Sequence, residues 1–211
     1  MEDLTPGDAP LLAKPLSRRG LLAQGIGLSL GLLSSPRAVL ALGGTLPEIG
    51  QPAPTFQLKG VIPSAQAAPR QGELGLNDFL GRWLVLYFYP KDFTSGCTLE
   101  ARGFQRDLSQ FQKASAAIVG ISADDPDAHA SFCGAEGLVF PLLSDSGGVV
   151  SRRYGSWIPP FSQRHTFLID PEGVLRARWV AVRPAGHSQE VLAELERQRS
   201  QPWDAAAPSM S

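Results

Sequence analysis

Cys97 and Cys133 are the only cysteines in the chain, and no Cys-x-x-Cys pair occurs. Two thiols cannot staple a small disulfide scaffold, and the missing pair excludes zinc ribbons and dithiol redox motifs. Histidine is almost as scarce. His129, His165 and His187 show no paired spacing of the kind that builds a metal centre, so neither metal nor cofactor is expected. Formal net charge is only −1 and the basic residues are scattered, which excludes a nucleic-acid footprint. No internal repeat is visible. Apolar residues, at 43%, are plentiful enough for a core, and 211 residues leave room for one domain plus an extension.

The extension is N-terminal. "PLSRRGLLAQGIGLSLGLLSSPRAVLA" opens on Arg18-Arg19, continues through a Gly/Ser/Leu apolar run and ends in small residues at Ala41. That order of basic, apolar and small segments is the pattern of a secretory signal. Ser17-Arg18-Arg19-Gly20-Leu21-Leu22 resembles the twin-arginine export motif, whose substrates cross the membrane folded. The glycine-interrupted run, stopped by Pro36, falls short of the about 20 apolar residues that a comfortable membrane span requires. The expectation is therefore an export signal over 1–41 cleaved after Ala41, a domain over 42–196, and a loose tail over 197–211. No stable span remains after cleavage, and the destination is a periplasm or a thylakoid lumen. An uncleaved anchor or a plain N-terminal arm is the alternative.

Within the domain, "PEIGQPAPTFQLKG" reads as extended, because its prolines exclude helix. "VIPSAQAAPRQGE" reads as a loop, and Leu76–Leu80 as a short helical turn ended by Gly81. "WLVLYFY" (83–89) is an unbroken apolar run, the mark of a central strand covered on both faces. Phe104, Leu108 and Phe111 then fall at helical spacing. "AAIVGIS" (116–122) is a second buried strand, and Asp125-Pro126 supplies a cap and a first-turn proline for a helix through about Ala135. A short strand in "LVFPLLSD", a helix ending at Gly155, a hairpin around "DPEG" and a helix bearing Val191, Leu192 and Leu195 complete the order. Strands alternating with helices and closing on a hairpin predict one α/β domain of thioredoxin-like fold, with a central mixed sheet flanked by helices.

Cys97 is placed where such sheets do chemistry. A buried strand ends near Tyr89, a loop from Pro90 follows, and Cys97 opens a helix beyond the strand's carboxyl end. Unpaired amides and the positive end of the helix dipole favour a thiolate there. An ordinary thiol, with a pKa of about 8.5, is only roughly 3% ionised at neutral pH. The helix end supplies about 0.3–1 kcal/mol, so a cation is expected nearby as well. Taken singly, each residue also fits a duller role. Cys97 suits a buried small hydrophobe, Pro90 a strand end, Thr94 a plain helix cap and Arg164 a solvated charge.

Pro90-x-x-x-Thr94-x-x-Cys97, together with "LVLYFYPKD", "FPLLSD" and "RHTFLID", resembles the peroxiredoxins, and in particular the PrxQ or bacterioferritin comigratory branch. The likeness spans about Pro47 to Glu196. It implies a thiol-dependent peroxidase in which Cys97 attacks a hydroperoxide and becomes a sulfenic acid. Thr94 would hydrogen-bond the thiolate and the peroxide, Pro90 would shield the sulfur from water, and Arg164 would be the cation. Lys91, Asp92 and Glu100 are read as local electrostatics and possible partners orienting the arginine.

Many PrxQ-like proteins carry a resolving cysteine five residues after the peroxidatic one, but that position here is Arg102. Cys133 lies in "SFCGAEGL", a stretch similar to that around the resolving cysteine of the thiol peroxidase (Tpx) branch. The resemblance thus implies a Cys97–Cys133 disulfide, reached by local unwinding and recycled by thioredoxin or another dithiol. A monomer or weak homodimer is expected. The competing readings are a one-cysteine peroxidase with a structural Cys133, and a non-peroxidase redox or binding protein of thioredoxin fold. His129, one helical turn before Cys133, is read as a surface residue.

Overall fold

The computed structural model describes residues 40–41, 43–63 and 69–200. The export signal expected over 1–41 and the tail from 201 onward lie outside these residues, apart from Leu40 and Ala41. Along the chain come β1 (Leu40–Ala41), β2 (Gly44–Thr45), β3 (Gln57–Ile62) and β4 (Arg70–Gly75). A 3-10 turn (Leu76–Phe79) leads to β5 (Trp83–Phe88), α1 (Ser95–Lys113) and β6 (Ala116–Ser122). Then follow α2 (Pro126–Glu136), β7 (Leu142–Ser144), α3 (Val149–Arg153) and the small hairpin of β8 (Trp157–Ile158) and β9 (Phe161–Ser162). β10 (His165–Ile169), β11 (Leu175–Trp179) and α4 (His187–Ser200) close the domain.

Seven strands form one mixed sheet in the order β11-β10-β5-β6-β7-β3-β4. β5, β6 and β7 run parallel, joined by crossovers through α1 and α2, while the β10–β11 hairpin and the β3–β4 hairpin flank them antiparallel. This is the thioredoxin-like arrangement. The period-2 geometry of β5 divides its side chains between two cores. Val85 and Tyr87 pack with Phe104, Phe111, Phe132 and Leu195 beneath α1, α2 and α4. Leu84, Leu86 and Phe88 pack with Phe56, Phe79, Tyr154 and Phe167 on the other face. Each such side chain, removed from water, contributes about 1.5–3 kcal/mol. Gly120 on β6 makes room for this packing, since a β-carbon there would come within 2.8 Å of Tyr87 Cζ.

Two boundaries differ from the sequence reading. The two ends of the stretch read as a loop from Val61 to Glu73 are strand, with β3 and β4 paired from Gln57↔Gly75 to Ile62↔Arg70. β4 is an edge strand held by backbone bonds on one side, so its polar sequence carries none of the apolar alternation that marks a half-buried strand. The last helix also runs to Ser200, past the expected limit at Glu196, with Glu194 bound to both Arg197 and Gln198 through its final turn.

Candidate active site

β5 stops pairing where its sequence removes a donor. Tyr89 N still donates to Ile121 O at 3.0 Å, but Pro90 has no N–H, and the chain bends into the loop 90–94. Thr94 is the N-cap of α1 by its extended backbone (φ −83°, ψ 146°), and Thr98 N donates to its carbonyl at 2.9 Å. Cys97 therefore lies in the first turn, where amides have no intrahelical acceptor. It is 1% exposed and its thiol is free.

The expected cation is in place. Arg164 immediately precedes β10, and the register of β10 on β5, with His165 opposite Phe88, delivers it to the carboxyl end of the central strand. Val182 N donates to the Arg164 carbonyl at 2.9 Å and fixes the backbone there. Arg164 Nη2 donates to Cys97 Sγ at 3.2 Å, while Nη1 donates to Glu100 Oε2 at 2.5 Å. Gly96 leaves the guanidinium its space, because a β-carbon at 96 would come within 3.1 Å of Nη2.

Glu100 is 1% exposed, and its Oε1 has no hydrogen-bond partner among the described residues. Burial raises its carboxyl to about 7, against the pull of Arg164 in the other direction. Burial would loosen the proton of Arg164, but Glu100 and the Cys97 sulfur outweigh it, so the guanidinium is held above its ordinary value. One half-buried arginine thus serves a sulfur and a carboxyl group together. Glu100 is the arginine-orienting partner that the sequence suggested; Asp92 is not.

Asp92 faces another way. Its carboxylate accepts from Tyr89 Oη at 2.7 Å and from His129 Nδ1 at 2.8 Å, and its N–H donates to Asp124 Oδ2 at 2.9 Å. His129, expected at the surface, is fully buried. Its partner is 37 positions away, and a single histidine on a weakly patterned helix gives no local sign of that partner. Beside Asp92, Phe93 lies edge-on against Phe132 at 5.1 Å.

The remaining candidates are placed less tightly. Thr94 is exposed, and its hydroxyl donates to Lys91 O at 2.9 Å rather than to the sulfur or to a first-turn amide. Pro90 is half-buried at the strand end. Cys133, on α2, is 2% exposed with a free thiol, and shares the core beneath α1 with Cys97. Burial, with the charge of Asp92 added, pushes its thiol up to about 12. Arg102, five residues after Cys97, is paired with Glu136 at the end of α2. Among the described residues, no group of three or more His, Cys, Asp or Glu side chains is arranged to hold a metal ion.

A buried cysteine at a helix start, bound to a half-buried arginine beyond a central parallel strand, makes a candidate thiol site on a thioredoxin-like domain. The chain belongs to the AhpC/TSA family, whose model matches residues 49–178. Xanthomonas campestris peroxiredoxin Bcp is 42% identical over 130 residues, covering 57% of this chain and 81% of that protein. Bacillus subtilis peroxiredoxin Bcp is 37% identical over 158 residues, covering 71% and 95%. Among solved structures, Xanthomonas campestris peroxiredoxin Q aligns with a TM-score of 0.60 at 34% identity, over 76% of this chain and 97% of that one.

Proposed function

We propose that this protein is a thiol-dependent peroxidase that reduces hydrogen peroxide and organic hydroperoxides with Cys97 as the peroxidatic nucleophile. The observation that carries the reading is the 3.2 Å contact of Arg164 with Cys97 Sγ in the first turn of α1. The thiolate attacks the terminal peroxide oxygen and the O–O bond breaks. The departing oxygen leaves as water or alcohol after taking a proton, and the sulfur becomes a sulfenic acid. Arg164 steadies the sulfur's negative charge before attack. Thr94, by turning its hydroxyl from Lys91 O, donates to the bound peroxide, and Pro90 keeps bulk water from the sulfur.

Resolution is assigned to Cys133. The two cysteines replaced by serine in structures of Xanthomonas campestris peroxiredoxin Q lie the same number of positions apart as Cys97 and Cys133. That spacing supports an intramolecular disulfide, recycled by thioredoxin or a similar external dithiol, in an enzyme that is a monomer or weak homodimer. The burial of Cys133 favours the second reading, a one-cysteine peroxidase resolved by an outside thiol.

Arg18-Arg19 and the apolar run behind them support export to a periplasm or thylakoid lumen, where the enzyme would serve antioxidant defence. Continued export after both arginines are changed to lysine would refute the twin-arginine route. The catalytic reading is tested by peroxide consumption with a thioredoxin-type reductant. Cys97→Ser abolishes it, and retained turnover in that variant would refute the assignment.

A further inference from the structure

Four residues join the Cys97 loop to the Cys133 helix without touching either sulfur's reaction partners. Asp92 and Phe93 stand in the loop, three residues or fewer before α1 begins. His129 and Phe132 stand on α2, the first one turn before Cys133 and the second immediately before it. Asp92 holds the His129 ring, and Phe93 holds the Phe132 ring. From the assignment of Cys133 as the resolving thiol, we propose that these two contacts form a latch. They set how often the loop and α2 part so that Cys133 can reach Cys97, and hence how the sulfenic acid is divided between disulfide and further oxidation.

The latch carries both grip and tension. His129 and Asp92 are buried, so their hydrogen bond does not compete with water. Tyr89 and Asp124 pin Asp92 from two further directions. Against this, Phe93 sits at φ 60°, in the left-handed region that bulky side chains seldom adopt, and the residue is 56% exposed. His129 Nε2 is buried and has no hydrogen-bond partner among the described residues. Opening relieves both, since the loop recovers an ordinary backbone angle and the imidazole reaches water. The contacts are therefore strong enough to keep Cys133 seated and strained enough to let it go.

Asp92 also keeps Cys133 quiet while the latch is closed, because its negative charge adds to burial in holding the thiol protonated. Once α2 parts from the loop, Cys133 leaves both influences. Its sulfur then bonds to the Cys97 sulfur and the S–O bond of the sulfenic acid breaks. The oxygen leaves as water with the proton from Cys133, the sulfenic sulfur is reduced and the Cys133 sulfur is oxidised. If opening is slow, a second hydroperoxide instead oxidises the sulfenic acid to sulfinic acid.

The test uses the full chain, with His129→Gln and Phe93→Ala each compared with wild type after rapid mixing with hydrogen peroxide. Quenched samples are read by mass spectrometry for reduced, sulfenic, sulfinic and disulfide forms. Phe93 is exposed, so its variant keeps the test decisive if His129→Gln folds poorly. Sulfenic acid should form within about twofold of the wild-type rate, while disulfide forms about tenfold faster, one decade per about 1.4 kcal/mol of eased opening. Sulfinic acid at high peroxide should fall in proportion. Disulfide formation at the wild-type rate in Phe93→Ala overturns the latch and leaves the resolving role intact. Parallel slowing of both steps in both variants also overturns it, because that is what a scaffold role predicts. Absence of any disulfide in wild type overturns the resolving assignment and the latch together.

Discussion

Arg164 and Cys97 stand 67 positions apart in the chain, yet a guanidinium nitrogen of one lies 3.2 Å from the sulfur of the other. The contact is made by sheet registration. β10 aligned on β5 puts residue 164 at the strand end from which the Cys97 loop departs. A one-residue slip of that pairing would turn the arginine to the opposite face of the sheet.

Replacing Arg164 by alanine should lower kcat/KM for hydrogen peroxide by about 100-fold, since a hydrogen bond to a charged group contributes about 1.5–3 kcal/mol and each tenfold in rate corresponds to about 1.4 kcal/mol. Arg164→Lys should recover part of this loss, because lysine keeps the charge but not the fork that reaches sulfur and carboxylate together. Competition kinetics against a reference peroxidase would measure both.

Glu100 should make stability fall as pH rises. Folded, it keeps its proton up to about pH 7; unfolded, it releases it near the ordinary value of about 4.3. Between those limits the folded state binds more protons, so this group's contribution to stability is present at the acid end and lost toward neutrality. His165 and His187, both held below their usual value by burial, act in the opposite sense. The informative quantity is therefore the difference between wild type and Glu100→Gln. Urea denaturation at a series of pH values should show the variant gaining stability relative to wild type between about pH 4.5 and 7. Parallel curves would contradict the assignment.

Thr94→Val should cost catalysis more than stability. The side chain is exposed and caps no amide of α1, so the fold should lose less than about 1 kcal/mol. Peroxide reduction should slow by about tenfold or more if the hydroxyl serves the transition state, each decade being about 1.4 kcal/mol. Thr94→Ser should restore it. Equal activity of the valine and serine variants would assign Thr94 to loop structure alone.

Cys133→Ser should leave the first oxidation of Cys97 intact and stop turnover with a dithiol reductant. Single-turnover and steady-state assays on the same preparation separate those steps. Undiminished steady-state turnover would instead support the one-cysteine reading.

Much of this was legible in advance, and what was not shares a physical cause. β5 and β6 announce themselves because both faces are covered, which forces an unbroken apolar run. The spacing of Pro90, Thr94 and Cys97 is local and survives in any one-dimensional reading. β4 escapes a one-dimensional reading because an edge strand depends on backbone bonds, which leave little trace in side-chain character. The burial of His129 on α2 leaves no local trace, because its partner Asp92 comes from the loop before α1. The position of Thr94 could be read, but the direction of its hydroxyl is a choice of rotamer and could not.

The two borders of the seven-stranded sheet have a consequence for self-association. Beyond β11, Gly50 N donates to Leu175 O and Leu175 N to Gln51 O, so the segment before β3 covers the start of that border. At the other border β4 presents Arg70 and Glu73 with a glycine between them, charged and poorly suited to recruiting a further strand. Among the described residues, both features disfavour the addition of a further strand at these points. Strand addition is therefore disfavoured along the charged stretch of β4, and the domain's route to ordered aggregation is narrowed there.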